Sequence, residues 1–207
     1  MRRPLIAPAA ALIAAVSLTL GGCGGPPGGE PTAAADSGAT EDPGPASSPS
    51  SPVPTPEPLT LADIDAAGIE ALGYVQNPDT GSDAVGLWQT SECTVQILVQ
   101  TVRVTGDDRK DSERAFAELP DRYAALSAHP DVTIPLQAGG TLESPAMAAE
   151  LTHADGTVTP AVVTMRVIGS RTSLLSITEW CWDHAVTEAD VAATLAALSL
   201  GGEITAP

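Results

Sequence analysis

Three cysteines, three histidines and a Trp-Cys-Trp run carry most of the chemistry available to this chain. Cys23 stands apart, at the end of an N-terminal apolar stretch, and leaves Cys93 and Cys181 as a pair. Each of the two sits in an alternating segment. Cys93-Thr94-Val95-Gln96-Ile97-Leu98-Val99 places Cys93 on one strand face with Val95, Ile97 and Val99. Leu175-Ser176-Ile177-Thr178-Glu179-Trp180-Cys181 places Cys181 with Leu175 and Ile177. Both sulfurs therefore point to the apolar side of a sheet. The expected reading is a disulfide in an oxidising compartment, with two buried thiols as the alternative. A bond closing a loop of roughly 90 residues would contribute about 4–5 kcal/mol by the chain-entropy argument. Redox catalysis would want a close C-x-x-C pair, and the sequence has none.

Trp180 and Trp182 flank Cys181, so the same parity sends both to the opposite face, beside Ser176 and Thr178. Two large rings on a polar face make a platform for a glycan, a lipid or a partner protein. The competing reading is that other elements pack over that face. Asp183-His184 follows directly and invites a triad, but no G-x-S-x-G elbow supplies a nucleophile. A solvated loop is the expectation. Asp79-Thr80-Gly81-Ser82 matches the string of aspartic proteases, whose chemistry needs two carboxylates sharing a proton. Here it follows Asn77-Pro78 and occurs once, so it reads as a surface turn. His129, His153 and His184 are scattered singly, without zinc-ligand spacing. No catalytic residue, metal or cofactor is expected.

The segment before these residues sets where they work. Arg2 and Arg3 precede a 16-residue apolar run, Leu5 to Leu20, broken by Pro8. A membrane span needs about 20 residues; this one suits a removable export signal over residues 1–22. Leu20-Gly21-Gly22-Cys23 resembles the lipobox of bacterial lipoproteins. The resemblance implies a diacylglyceryl thioether on Cys23 and attachment to the outer face of the cell membrane. The arginine pair is compatible with twin-arginine export, although Pro4 displaces the usual hydrophobic residue, and general secretion fits equally. Residues 23–58, from the cysteine onward, are mostly Gly, Pro, Ser, Ala and Thr with ten prolines and a few acidic residues, too polar to bury a core. As a coil they span about 30–35 Å, and fully extended about 110 Å. They read as a tether.

Residues 59–207 form one domain of ordinary size. It carries 21 acidic and 7 basic side chains, a formal charge of −14. That sign excludes a nucleic-acid partner, which would need Lys and Arg against phosphate. Scarce lysine with abundant Ala and Gly points to an actinobacterial source. Only six aromatics serve the whole chain, so the core must be aliphatic.

Along the domain, Thr60 and Asp63 form a capping-box variant opening a helix to Leu72, ended by Gly73. Leu59 and Ile64 staple it, and Ile64, Ile69 and Leu72 line its apolar side. A strand covers 93–104. Phe116, Leu119, Tyr123 and Leu126, spaced 3, 4 and 3, predict a helix kinked at Pro120 and ended by Pro130. Two hairpins follow, one turning at Asp155-Gly156 and one at Gly169 to Arg171. A three-residue loop in the second puts Val163 opposite Ile177 and Met165 opposite Leu175. A closing helix is capped by Thr187 and Asp190, stapled by Val186 to Val191, lined by Val191, Leu195 and Leu198, and stopped by Gly201-Gly202.

The fold class is therefore α+β, an antiparallel sheet with helices packed on it and one disulfide. From Cys93 to Leu200 the element order resembles the PsbP-like layered fold, shared by photosystem accessory subunits and mycobacterial lipoproteins of the LpqN type. The resemblance carries no catalytic residues and implies a non-enzymatic accessory or binding role. The expected function is a lipid-anchored cell-envelope binding or scaffold module, with Trp180 and Trp182 as contact residues. The membrane is its partner through the lipid, and an envelope glycan, lipid or protein its ligand. An envelope hydrolase and an extracytoplasmic sensor subunit are the alternatives.

Overall fold

The computed structural model describes residues 56–78, 82, 84–202 and 204. The export signal, Cys23, most of the tether and Asp79-Thr80-Gly81 lie outside the described residues.

Seven antiparallel strands make the main sheet: β2 (Val75–Gln76), β3 (Val85–Gln89), β4 (Cys93–Thr101), β5 (Tyr123–Pro135), β6 (Thr141–Thr152), β7 (Val158–Ile168) and β8 (Ser173–Cys181). Their spatial order is β2-β3-β4-β8-β7-β6-β5. Consecutive hairpins build β5 to β8, and the last of these strands returns to lie beside β4. Helix α1 (Ala67–Ala71) precedes the sheet, α2 (Asp108–Ala115) joins β4 to β5, and α3 (Glu188–Ala196) follows β8. Two short strands, β1 (Ile64–Asp65) and β9 (Ser199–Leu200), pair with each other. The α+β class with one disulfide is what the sequence pattern predicts.

Both faces of the sheet are covered at its centre, and every residue of β8 is buried. On one face Val95, Ile97, Leu175 and Ile177 join Ile69 of α1 and Val191 and Leu195 of α3 in the main core. On the other, Val163, Met165, Val167 and Leu174 pack under Phe116, in the 3-10 turn that continues α2. Near the other end of that second face, Leu151, Ala161 and Trp180 form a smaller cluster.

The closing helix forms as its caps dictate. Thr187 Oγ1 accepts from Asp190 N, and Asp190 Oδ2 accepts from Thr187 N at 2.8 Å. Val191, Leu195 and Leu198 are buried, with Val186 packed beside them. Gly201-Gly202 does not stop it. The helix ends at Ala196, because Ser199 and Leu200 leave to pair with Asp65 and Ile64.

That same pairing breaks the first expected helix. Asp63 accepts from Thr60 N as the box requires, but it closes a single 3-10 turn over Leu61–Asp63. Ile64 and Asp65 are then drawn into a strand, and Asp65 Oδ1 restarts α1 by accepting from Ala67 N at 3.0 Å. Leu72 ends up exposed rather than on the apolar side. Leu59 and Ile64 are both buried, and Gly73 ends α1 at φ 93°.

The expected helix through Phe116 and Leu126 is wrong beyond Leu119. Tyr123 and Leu126 belong to β5, an edge strand with two register shifts and Ala125 at φ 51°. Pro130 falls inside the second irregularity, a place where an edge strand tolerates a missing donor. The first long strand is also shorter than expected, ending at Thr101 rather than 104.

The β7–β8 register differs by one residue from the expected one. Thr164, not Val163, lies opposite Ile177, and Met165 lies opposite Ser176. The loop has four residues rather than three, with Thr172 left-handed at φ 46°. The separation of apolar from polar residues gives no guide here, because side chains on both faces of β7 are buried.

Candidate functional site

The residues singled out from sequence converge where β8 ends and β4 begins. Cys93 and Cys181 are a directly opposed pair in the ladder and are joined as a disulfide. The pairing continues one step past the strand, where Trp182 N donates to Glu92 O at 2.8 Å.

The two tryptophans share a side but not an environment. Trp180 is 8% exposed, packed with Leu151 and Ala161 and flanked by Leu87 and Tyr123. Trp182 is 50% exposed. Ser176 and Thr178 are buried too, so the expected open polar face is covered up to Trp180. Phe116, in the turn that continues α2, covers this face beside Ser176, while Leu151, Ala161, Leu87 and Tyr123 from neighbouring strands enclose Trp180.

His153 links the rings. Its imidazole lies 4.5 Å from Trp182 and 5.7 Å from Trp180, centroid to centroid. Its Nε2 is 2.8 Å from Thr159 Oγ1. Burial lowers its pKa, with the Asp155 charge opposing and the Arg122 charge assisting. The ring is therefore neutral near pH 7, as stacking between apolar surfaces favours. Beside this group, Arg122 lies 4.9 Å over the Tyr123 ring and reaches Gln96 Oε1 at 3.4 Å. The tip thus offers one open indole face, an imidazole, a guanidinium and an amide.

Asp183 and His184 meet directly: Asp183 Oδ1 is 2.5 Å from His184 Nδ1. Both are exposed, as a solvated loop requires. The hydrogen bond that His184 donates to the Asp183 carboxylate, with charge–charge attraction, raises the His184 pKa. Its Nε2 faces Cys93 Sγ at 3.9 Å, not a serine hydroxyl. His129 is far from this group in the fold; it borders a cavity of about 290 Å³ against Glu188 and Ala192 of α3.

One group of chemical interest escapes the motif reading. Glu179 is 3% exposed on the core face of β8, where its Oε1 accepts from Tyr74 OH at 3.3 Å and Thr194 Oγ1 at 3.1 Å. Burial pushes its pKa up to about 7. Burial and the neighbouring Glu179 charge push the Tyr74 phenol up to about 12. The signal was present: Glu179 has the parity of Leu175, Ile177 and Cys181, an acid among core residues.

A second cavity, about 250 Å³, lies between α1 and the β2–β3 edge, bordered by Ala67, Glu70, Gln76 and Trp88. The Trp88 indole N–H is buried without a hydrogen-bond partner among the described residues. Neither cavity borders the Trp180–Trp182 tip. No helix among the described residues is long and apolar enough to cross a membrane.

No family model matches the chain, and no curated protein matches it.

Proposed function

We propose that this protein is a lipid-anchored module of the bacterial cell envelope that binds or scaffolds an envelope ligand without catalysing a reaction. Cys23 carries the lipid, and residues 23–58 hold the α+β domain away from the outer face of the membrane. The His153–Trp182 pair at the end of β8, backed by buried Trp180, is the contact point.

The observation that supports this reading best is the half-exposed Trp182 ring, braced on one side by His153 at 4.5 Å. A large ring held rigidly loses little entropy when a ligand covers it. Arg122 and Gln96 nearby supply polar contacts, so a glycan, a lipid headgroup or a polar protein surface suits the tip better than an aliphatic chain.

Native mass spectrometry of the protein extracted from its own membrane tests this. A bound glycan or lipid, lost in Trp182→Ala with the fold retained, is the expected result. Ligand retained by Trp182→Ala removes the tip from the argument. Recovery of Cys23→Ala in the membrane fraction in wild-type amount overturns the anchor.

A further inference from the structure

The bond between Cys93 and Cys181 has a third donor beside it. His184 Nε2 stands 3.9 Å from Cys93 Sγ, and one donor atom from each of the three residues lies within 4.8 Å of the other two. Tetrahedral Zn²⁺, with bonds of about 2.3 Å to sulfur and about 2.0 Å to nitrogen, has ligand–ligand edges of roughly 3.5–3.8 Å. The imidazole already stands near that edge length. Parting of the two sulfurs is the main movement a metal ion would require.

The histidine is also oriented as a ligand. Asp183 Oδ1 lies 2.5 Å from Nδ1, which keeps the proton on Nδ1 and turns the Nε2 lone pair toward the sulfurs. A carboxylate behind a histidine in this way is the usual outer support of a zinc ligand. Access is open as well. His184 is exposed and Cys93 partly so, while Cys181 is buried. The ladder register already holds the two cysteines opposite each other.

We propose that Cys93, Cys181 and His184 form a redox-gated Zn²⁺ site, closed as the disulfide and opened by reduction. A dithiol is the reductant. Its first thiolate attacks the accessible Cys93 Sγ, the S–S bond breaks, and Cys181 leaves as a thiolate that takes up a proton. The second thiol of the reductant then displaces Cys93 from the mixed disulfide. Two electrons pass to the cysteines, and the reductant departs as its own disulfide. Zn²⁺ replaces the two thiol protons, and two thiolates with a neutral imidazole give a site of zero net charge. Water fills the fourth position. The rim of β4 and β8 is then cross-linked in both states, covalently when oxidised and through the ion when reduced.

The test uses the full chain, reduced with a dithiol that is then removed without air, and titrated with Zn²⁺ against a chromophoric chelator. Co²⁺ is titrated in parallel for its thiolate-to-metal absorption. The reduced protein should take up one equivalent, and the oxidised protein none. His184→Ala should bind at least about tenfold more weakly, and Asp183→Asn about 10–100-fold more weakly, with both thiols still present. Far-UV circular dichroism before and after metal addition monitors the fold. Equal affinity in His184→Ala and wild type overturns the site. So does the absence of thiolate-to-cobalt absorption, or a reduced chain that unfolds and is not restored by Zn²⁺.

Discussion

The Tyr74 hydroxyl donates to Glu179 Oε1 at 3.3 Å across 105 residues of chain, tying the segment after α1 to the central strand. Thr194 of α3 donates to the same oxygen. Three elements therefore meet at one carboxyl group inside the main core, and its protonation state bears on stability.

Glu179 has a folded pKa of about 7 against an ordinary value of 4.5. Between those values the folded state binds the extra proton, so stability falls as pH rises. The contribution is complete below about 4.5 and is lost as pH passes 7, with a magnitude on the order of a few kcal/mol. Asp111, Asp155 and Asp190 act the other way. Hydrogen bonds from Thr105, Thr157 and Thr187 hold them below the usual carboxylate range, and their contribution disappears only at lower pH. Urea unfolding between pH 4 and 8 should show wild type losing stability through neutrality. Glu179→Gln, which keeps an acceptor for both hydroxyls, should lose far less. Parallel curves for the two proteins would sink the assignment.

Gly68 marks the closest approach of α1 to the end of α3. A Cβ at this position would overlap the carbonyl group of Ala197, and backbone atoms cannot swing aside. Gly68→Ala raises intrinsic helix propensity by about 1 kcal/mol, yet overpacking should outweigh that gain and give a net loss of about 1–3 kcal/mol. Thermal denaturation decides it: a stabilised Gly68→Ala would mean that the two helices can separate freely.

Helix α3 separates the worth of a cap from that of a core contact. Thr187→Ala removes the acceptor for Asp190 N and should cost about 1 kcal/mol. Leu195→Ala empties a fully buried site and should cost about 2–5 kcal/mol. Chemical denaturation of both variants tests the order, and a costlier Thr187→Ala would reverse the account of what holds this helix.

What could be read from sequence follows from how local each signal is. The Thr187–Asp190 box and the Asp155-Gly156 turn are satisfied within a few residues, and both form as expected. Strand parity correctly placed Cys93 and Cys181 with apolar neighbours and the two tryptophans on the opposite side, because β4 and β8 are regular. Errors arose where distant chain decides. Ile64 leaves its helix to pair with Leu200. Tyr123 and Leu126 show helical spacing inside a bulged edge strand whose partner, β6, lies downstream. The β7–β8 loop gained a residue through a left-handed threonine, a conformation that β-branched side chains rarely adopt. At the candidate site, Trp180 is covered by Leu151 and Ala161 and touched by His153, and none of these contacts is visible from the Trp-Cys-Trp run alone.

Arg166 supplies the least intuitive expectation. It sits on β7 opposite Leu175, only 4% exposed, and its Nε has no hydrogen-bond partner among the described residues. No carboxylate among the described residues comes within ion-pair distance of it. Asp108 and Glu143 act on it only as more distant charges, and burial lowers its pKa. Asp108 is engaged elsewhere, accepting from Gly169 N at 2.9 Å, so removing the arginine strips no carboxylate of a direct partner. A buried cation without a close partner bears its desolvation cost with little return, and an apolar side chain of similar length often does better. Arg166→Met should therefore be neutral or stabilising by about 1–3 kcal/mol in urea unfolding. Arg166→Ala should be worse than Met, because it leaves a cavity where the long side chain lay. A loss of more than about 2 kcal/mol in Arg166→Met would show that the guanidinium is held by interactions stronger than these distances allow.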